Sequence, residues 1–238
     1  MNPNVKVHCI KHSYADKTEV SVCGLDFIVY PGAKIALIGA NGSGKSTLIY
    51  HLLGMLKPTE GKITVLGVNP ANSFSKIRKK IGVVVQNVED QLIGPTVWDD
   101  VAFSLYNYGY DKKEIEARVN CVLNELKIEF LKNKIIHYLS GGEKRKVALA
   151  GALVLRPKLL ILDEMMAEID EQSAEVILKL LDKYNKIYKT AIILATNDSQ
   201  TIANFRGLIY LLKNGKIVFK GSLSELEKSQ HKLILCRH

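Results

Sequence analysis

The chain has 238 residues, 47% of them hydrophobic, which is enough for one large domain with a sizeable core. No run approaches the roughly 18 consecutive apolar residues of a membrane-spanning helix, and Met1-Asn2-Pro3-Asn4-Val5-Lys6 lacks the apolar core of a signal peptide. The formal net charge of +9 excludes an acidic chain, but the basic residues fall in short clusters, Lys76-Ile77-Arg78-Lys79-Lys80 and Glu143-Lys144-Arg145-Lys146, without interleaved aromatics. Such clusters read as solvated faces first, as contacts to anionic lipid second, and only distantly as a nucleic-acid surface. The four cysteines, Cys9, Cys23, Cys121 and Cys236, are scattered without metal-like spacing, which predicts reduced thiols.

The opening third reads as strands. Val20, Val22, Leu25, Phe27 and Val29 alternate with Ser21, Asp26, Ile28 and Tyr30 around a break near Cys23-Gly24, the pattern of a partly bulged antiparallel strand. Pro31-Gly32 turns the chain into the apolar strand Ile35-Ala36-Leu37-Ile38. Gly39-Ala40-Asn41-Gly42-Ser43-Gly44-Lys45-Ser46 follows, and then a helical run from Thr47 to Leu53. This segment fits G-x-x-x-x-G-K-[ST], the P-loop, in its strand-before, helix-after context. Glycines let several N–H groups point at one phosphate cluster, and the helix N-terminus adds partial positive charge. Lys45 suits the β- and γ-phosphates, and the Ser46 hydroxyl suits Mg²⁺. A chance occurrence is expected in roughly one chain of this length in a hundred, and the context lowers that further.

Pro58-Thr59-Glu60-Gly61 turns into Lys62–Leu66, and Ile81–Val85 reads as a buried parallel strand. Ile115, Val119, Val122, Leu123 and Leu126 predict a helix over about 112–127. A second helix spans about 143–155. Lys158-Leu159-Leu160-Ile161-Leu162 returns to buried strand. A long helix over 171–188 places Val176, Ile177, Leu180, Leu181, Tyr184 and Ile187 inward, and Ala191–Ala195 is one more buried strand. Asn214-Gly215 is a two-residue hairpin signal between Leu208–Leu212 and Ile217–Phe219. Ser222-Leu223-Ser224-Glu225 fits a capping box.

Two further segments carry chemistry. Asp163-Glu164 ends an apolar strand; such a pair can cap the next helix, but after a P-loop the aspartate can hold Mg²⁺ through water and the glutamate can polarise an attacking water. Leu139-Ser140-Gly141-Gly142-Glu143 is a second anion-binding pattern, or an ordinary helix start capped by Ser140. Its L-S-G-G-[QE] pattern, about twenty residues before the Asp163-Glu164 strand, resembles the signature of ATP-binding cassette domains.

The resemblance extends over essentially the whole chain. It implies an α/β fold, a P-loop NTPase domain with an antiparallel β subdomain and a helical subdomain. The chain is expected to be a single domain over 1–238, with the core and β subdomain over about 1–88 and 157–238 and the helical subdomain over about 89–156. It implies ATP and Mg²⁺ as cofactors. Tyr14 matches the aromatic that stacks on adenine. Gly39, Asn41, Gly42, Ser43, Gly44, Lys45, Ser46 and Thr47 match the phosphate site; Ser140, Gly141 and Gly142 match the signature. Ser46, Gln86 and, through water, Asp163 are the expected Mg²⁺ ligands. Glu164, Gln86 and Asn197 occupy the catalytic positions. Asp170 matches the aspartate of a loop that crosses a head-to-tail dimer interface, or simply caps its helix.

Three departures stand out. The family has His where this chain has Asn197, Pro where it has Met165, and Gly-Leu-Asp where it has Glu168-Ile169-Asp170. Asn can donate a hydrogen bond but cannot carry a proton. Binding is expected to survive these changes, and turnover is expected to slow.

The segment Gln86-Asn87-Val88-Glu89-Asp90-Gln91-Leu92-Ile93-Gly94-Pro95-Thr96-Val97-Trp98-Asp99-Asp100-Val101-Ala102-Phe103 resembles the energy-coupling factor transporters of the cobalt, nickel and vitamin type. In that group the stretch forms a groove for a coupling helix of the membrane partner. The implied partners are a second ATPase subunit, an integral membrane coupling subunit and a substrate-capture subunit, with no nucleic acid. The implied location is peripheral, on the cytoplasmic side of the cell membrane. Two alternatives stay open: a slow or degenerate subunit of a heterodimeric pair, and a soluble cassette ATPase outside transport. The span from Gln86 to Leu139 leaves no room for a long coiled-coil arm, which counts against the second.

Overall fold

The computed structural model describes residues 2–13 and 19–231; Tyr14 and Cys236 lie outside the described residues. These form two compact units, one of residues 1–78 with 191–238 and one of residues 79–190.

In the first unit, β1 (Val5–Ser13) is the hub of an antiparallel layer. One edge pairs with β2 (Glu19–Gly24) and then β3 (Phe27–Val29). Val7 faces Phe27 and Ile10 faces Val22, so the residues 23–26 stand opposite 8–9. This is the bulge expected at Cys23-Gly24. The core strand β4 (Lys34–Ile38) enters the P-loop, which opens into α1 (Lys45–Leu52); β5 (Glu60–Val65) returns to pair with β1, and a short α2 (Pro70–Ser73) follows.

The second unit begins with β6 (Ile81–Val84), followed by α3 (Val97–Asn107), α4 (Lys112–Glu125) and α5 (Gly141–Leu153). Strand β7 (Leu159–Asp163) pairs in parallel with β6, Ile81 opposite Leu159, and α6 (Glu171–Tyr188) completes the unit. Helix α5 lies so close to β6 that a Cβ on Gly82 would sit 2.4 Å from the Ala152 carbonyl oxygen. The α4 stripe is buried as expected, with Ile115, Val119, Val122, Leu123 and Leu126 at most 1% exposed. In α6, Ile177, Leu180, Leu181 and Tyr184 point inward, but Ile187 is 59% exposed. It lies at the margin of the 3.6-period stripe in the helix's last turn.

The chain then returns to the first unit with β8 (Ala191–Ala195), α7 (Ser199–Phe205), β9 (Leu208–Lys213), β10 (Lys216–Gly221) and α8 (Leu223–Lys228). Strand β4 is central among parallel neighbours, paired with β8 on one side and β9 on the other. Its apolar run follows from that position: Ile35, Ala36, Leu37 and Ile38 are at most 1% exposed. The hairpin turn is Asn214-Gly215, both at positive φ (47° and 71°), the requirement of a two-residue turn. Ser222 and Glu225 form the expected capping box. Strand β10 also pairs in parallel with β2, Lys216 opposite Cys23.

The cysteines differ from the expectation of reduced thiols throughout. Cys9 and Cys23 form a disulfide across β1 and β2, their Cα atoms 4.0 Å apart. They are the next residues beyond the last paired position, Ile10 with Val22, a proximity that their separation along the chain conceals. Cys121 is free and exposed.

Candidate functional site

The phosphate loop sits at the carboxyl end of β4, where open α/β sheets place their ligands. Two glycines show why side chains are excluded. A Cβ on Gly39 would lie 2.2 Å from the Leu212 carbonyl oxygen, and Gly42 turns through φ 75° with open space around it. Gly44, at φ 106°, is the N-cap of α1, so the first helical N–H groups emerge directly from the loop. Lys45 is 6% exposed. Its Nζ donates to the Gly39 carbonyl at 2.5 Å and to that of Ala40 at 3.5 Å, folded back along the loop. An ammonium pairs more strongly with charged oxygens than with such neutral carbonyl acceptors, so the folded-back Lys45 suits an anion at this loop.

The loop is held from two sides. The Gly215 N–H of the β9–β10 turn donates to the Ser43 carbonyl at 3.0 Å. Asn197, just past β8, accepts the Gly39 N–H on Oδ1 at 3.1 Å. Asn197 is in turn set by Thr196, whose N–H donates to the Leu37 carbonyl at 3.2 Å, and by Asp198, which caps α7 through the Thr201 N–H at 2.7 Å. Sequence reading placed Asn197 as a stand-in for a catalytic His. The structure adds a bond to the first glycine of the P-loop.

The second unit carries the carboxylates and the signature. Asp163 ends β7 at 3% exposure, and Glu164 follows with φ 47°, turning the chain sharply off the strand. Ser140 caps α5 in a reciprocal box: its Oγ accepts the Glu143 N–H at 3.3 Å, and Glu143 Oε2 accepts the Ser140 N–H at 2.8 Å. These bonds hold the Glu143 carboxyl below the usual carboxylate range, the Ser140 backbone N–H being the largest cause. Ser140 and Gly141 are exposed, so the start of this thirteen-residue helix is open to an anion.

Arg145 was missed as a site residue. Its cluster, Glu143-Lys144-Arg145-Lys146, read as a solvated face, but Arg145 is only 9% exposed. Its Nη1 donates to the Glu164 carbonyl at 3.2 Å, and Nη2 lies 3.6 Å from Glu168 Oε2. It therefore ties the signature helix to the backbone of the carboxylate turn. Lys146 Nζ donates to Ser173 Oγ at 2.8 Å, and the Ser173 N–H caps onto Asp170 Oδ1 at 2.8 Å. The Ser173 hydroxyl and N–H keep the Asp170 carboxyl below its ordinary value. Charge alternation alone gave no sign that one of four adjacent polar residues turns inward. The other cluster behaves as expected: Lys76, Arg78, Lys79 and Lys80 are exposed.

Gln86 stands exposed just past β6, and the segment after it folds around its own side chains. Gln91 Oε1 accepts the Val85 N–H at 3.0 Å and its Nε2 donates to the Val83 carbonyl at 2.9 Å, capping the strand end like a short neighbouring strand. Gln91 thus holds the end of β6, a role within its own unit beside the groove role that the resemblance implies for this stretch. Asp90 is exposed, its carboxylate accepting from Asn87 Nδ2 at 2.8 Å. Asp100 Oδ1 accepts the N–H groups of Ile93 and Gly94 at 2.8 and 3.0 Å, and Thr96 caps α3. Beside these turns opens a concavity of about 300 Å³ lined by Glu89, Leu92, Pro95, Ile135, Ile136 and Lys144. Lys144 Nζ donates to Glu89 Oε1 at its rim, and that bond holds the Glu89 carboxyl below its usual range. No helix among the described residues is long and apolar enough to cross a membrane.

Three comparisons bear on what this arrangement is. The ABC transporter family profile matches residues 22–167. The chain is 40% identical, over 91% of its length, to the energy-coupling factor transporter ATP-binding protein EcfA of Methanococcus maripaludis, covering 78% of that protein. The EcfA of Methanocaldococcus jannaschii is likewise 40% identical, over 90% of this chain and 77% of that one. A longer Methanosarcina mazei relative is 38% identical over 96% of this chain, which spans 51% of it. Among solved structures, cbiO1 of Clostridium perfringens, described as part of the ABC transporter complex cbiONQ, superposes with a TM-score of 0.84 at 33% identity, covering 100% of this chain and 96% of that one.

Proposed function

The chain belongs to the ABC transporter family of ATP-binding proteins, and from that premise we propose that it powers an energy-coupling factor type importer from the cytoplasmic face of the membrane. It is an ATPase subunit of that transporter class. The observation that carries the reading is the P-loop: bare backbone at Gly39 and Gly42, Lys45 folded into the loop, and α1 opening from Gly44.

Each site residue then has a role. Backbone N–H groups from Asn41 to Thr47 and the Lys45 ammonium bind the phosphates. The Ser46 hydroxyl, the Gln86 amide oxygen and the Asp163 carboxylate are hard oxygen donors suited to Mg²⁺, which keeps several waters and needs few protein ligands. Bound Mg²⁺ would neutralise charge on the transferring phosphate. Glu164 polarises the attacking water. Ser140, Gly141 and Gly142 at the start of α5 act on the nucleotide of a second, head-to-tail ATPase subunit, and Asp170 lies in that interface. Tyr14 stacks on adenine. Residues 1–238 act as one nucleotide-binding domain, with the helical part over 89–156. The concavity beside Glu89 and Lys144 receives an integral membrane coupling subunit, and a separate subunit captures the solute.

The decisive experiment has two arms. Lys45→Ala should abolish MgATP binding by calorimetry in a folded chain, and the wild-type chain should co-purify with integral membrane subunits. Unchanged ATP affinity sinks the site, and purification free of membrane proteins sinks the transport role. A second reading, a slow subunit of a heterodimeric pair, is favoured by Asn197, whose Oδ1 is engaged by the Gly39 N–H.

A further inference from the structure

We propose that Cys9 and Cys23 form a reversible redox modification site whose state is passed to the phosphate loop through Gly215. The pair is built by the sheet. Ile10 faces Val22 in the β1–β2 ladder, which brings the next residues, Cys9 and Cys23, opposite each other and into a disulfide. Cys9 is exposed, so a small oxidant or reductant reaches it from solvent. It also sits where β1 shifts register against β5, between His8 and Lys11, so its sulfur is not locked within a regular ladder on both sides.

The other end of the pair leads inward. The Cys23 N–H donates to the Gly215 carbonyl at 2.9 Å, and the Gly215 N–H donates to the Ser43 carbonyl at 3.0 Å. Gly215 thus bridges Cys23 and the P-loop with its own two backbone groups. Next to it, Lys216 pairs with Cys23 and Ile217 with Gly24 across β10 and β2. A Cβ on Gly24 would lie 2.6 Å from the Ile217 carbonyl oxygen, so the two backbones are closely fitted here. A covalent tie at Cys9–Cys23 restrains the chain at Cys23. That restraint reaches Ser43 through one residue.

The chemistry balances with a peroxide as oxidant. The Cys9 thiolate attacks the peroxide; an S–O bond forms, the O–O bond breaks, and the leaving oxygen takes a proton as water. The Cys23 thiolate then attacks the sulfenic sulfur; the S–S bond forms, and the second oxygen leaves as water. Two cysteine sulfurs are oxidised by two electrons and the peroxide is reduced to two waters. A dithiol reverses the change by becoming a disulfide itself, its protons passing to Cys9 and Cys23.

The test uses the full chain with Cys121→Ser and Cys236→Ser, which leaves only this pair. Hydrogen peroxide should give a Cys9–Cys23 cross-link by peptide mapping, and dithiothreitol should remove it. In the reduced form, amide exchange should quicken at residues 39–46 and 213–217. ATP affinity, which rests on the nucleotide reading above, should fall about threefold to tenfold as ordering of the loop is no longer shared with the hairpin. Adding Cys9→Ser should fix the reduced behaviour and abolish the response to peroxide. The inference is overturned if peroxide leaves both thiols free, if the cross-link forms without change at residues 39–46, if both states bind ATP with the same measurable affinity, or if the Cys9→Ser chain still responds. Exchange that responds in a chain binding no ATP in either state sinks the nucleotide reading and supports this one.

Discussion

Asn197 holds the first glycine of the phosphate loop: its Oδ1 accepts the Gly39 N–H at 3.1 Å. The bond occupies the side chain's acceptor and leaves the amide NH₂ as the group that can face a phosphate. A histidine at this position carries a second ring nitrogen and can also carry a proton.

That difference predicts a kinetic signature for Asn197→His in the isolated chain. A contact made mainly with the transition state changes turnover more than binding. We expect kcat to rise about tenfold, the effect of about 1.4 kcal/mol, with ATP affinity nearly unchanged. Steady-state ATPase assays and calorimetry on the same preparation decide it. A flat kcat would place the limit at Met165, Glu168 or the absent partner.

Arg145 supplies a second prediction. It is buried, and its guanidinium joins α5 to the Glu164 carbonyl and to Glu168. Arg145→Lys keeps the charge but loses the planar fork that reaches both. The variant should lose about 1–3 kcal/mol of stability, the usual cost of stranding a buried hydrogen-bonding group. Turnover should fall more than ATP affinity, because the backbone that aims Glu164 is loosened. Urea titration with paired kinetics checks both parts; wild-type values for each would mean Arg145 merely fills space.

What the sequence made legible follows from how local each signal is. The P-loop, the Ser140 cap, the Ser222 capping box, the Asn214-Gly215 turn and the buried runs of β4, β7 and β8 depend on neighbouring residues alone, and each is where the pattern predicts; the reciprocal Glu143 bond at Ser140 and the start of α5 at Gly141 came from the structure. The Cys9–Cys23 disulfide depends on strand register, which the scattered spacing of the cysteines does not reveal. Arg145 depends on which side of α5 the carboxylate turn packs. The bonds of Gln91 to the Val83 carbonyl and the Val85 N–H were not legible, because backbone groups carry no sequence signature.

Gln91 and its neighbour Asp90 should therefore behave differently. Gln91→Ala strands the Val85 N–H and the Val83 carbonyl, and should cost about 1–3 kcal/mol in a denaturant titration. Asp90→Ala removes an exposed carboxylate bonded to Asn87, and should leave stability within about 0.5 kcal/mol of wild type. If the concavity beside Glu89 receives the coupling subunit, Asp90→Ala weakens co-purification with membrane subunits without unfolding the chain. Equal stability losses at the two positions would contradict the assigned bonds.

His51, in the last turn of α1, gives a pH dependence of defined sign. It is 1% exposed, and burial holds its imidazole below the ordinary value of 6.5, with nearby His12 adding to the effect and the Leu56 carbonyl opposing it. The Leu56 carbonyl lies 3.0 Å from Nδ1, which assigns the N–H to Nδ1, while Nε2 is buried with no hydrogen-bond partner. Protonation would put a charged N–H in that unpaired position. Because the folded chain resists protonation, the unfolded chain binds more protons between the folded pKa and 6.5, and stability rises with pH across that window. His51's contribution is fully present above pH 6.5 and falls as pH drops towards the folded pKa, where it levels off. His51→Asn can keep the donor to Leu56 and cannot titrate. Urea midpoints measured from pH about 5 to 7.5 should then lose a slope of up to about 1.4 kcal/mol per pH unit in the variant relative to wild type. Parallel pH profiles for the two chains would show that His51 titrates alike in the folded and unfolded states and that burial does not shift it.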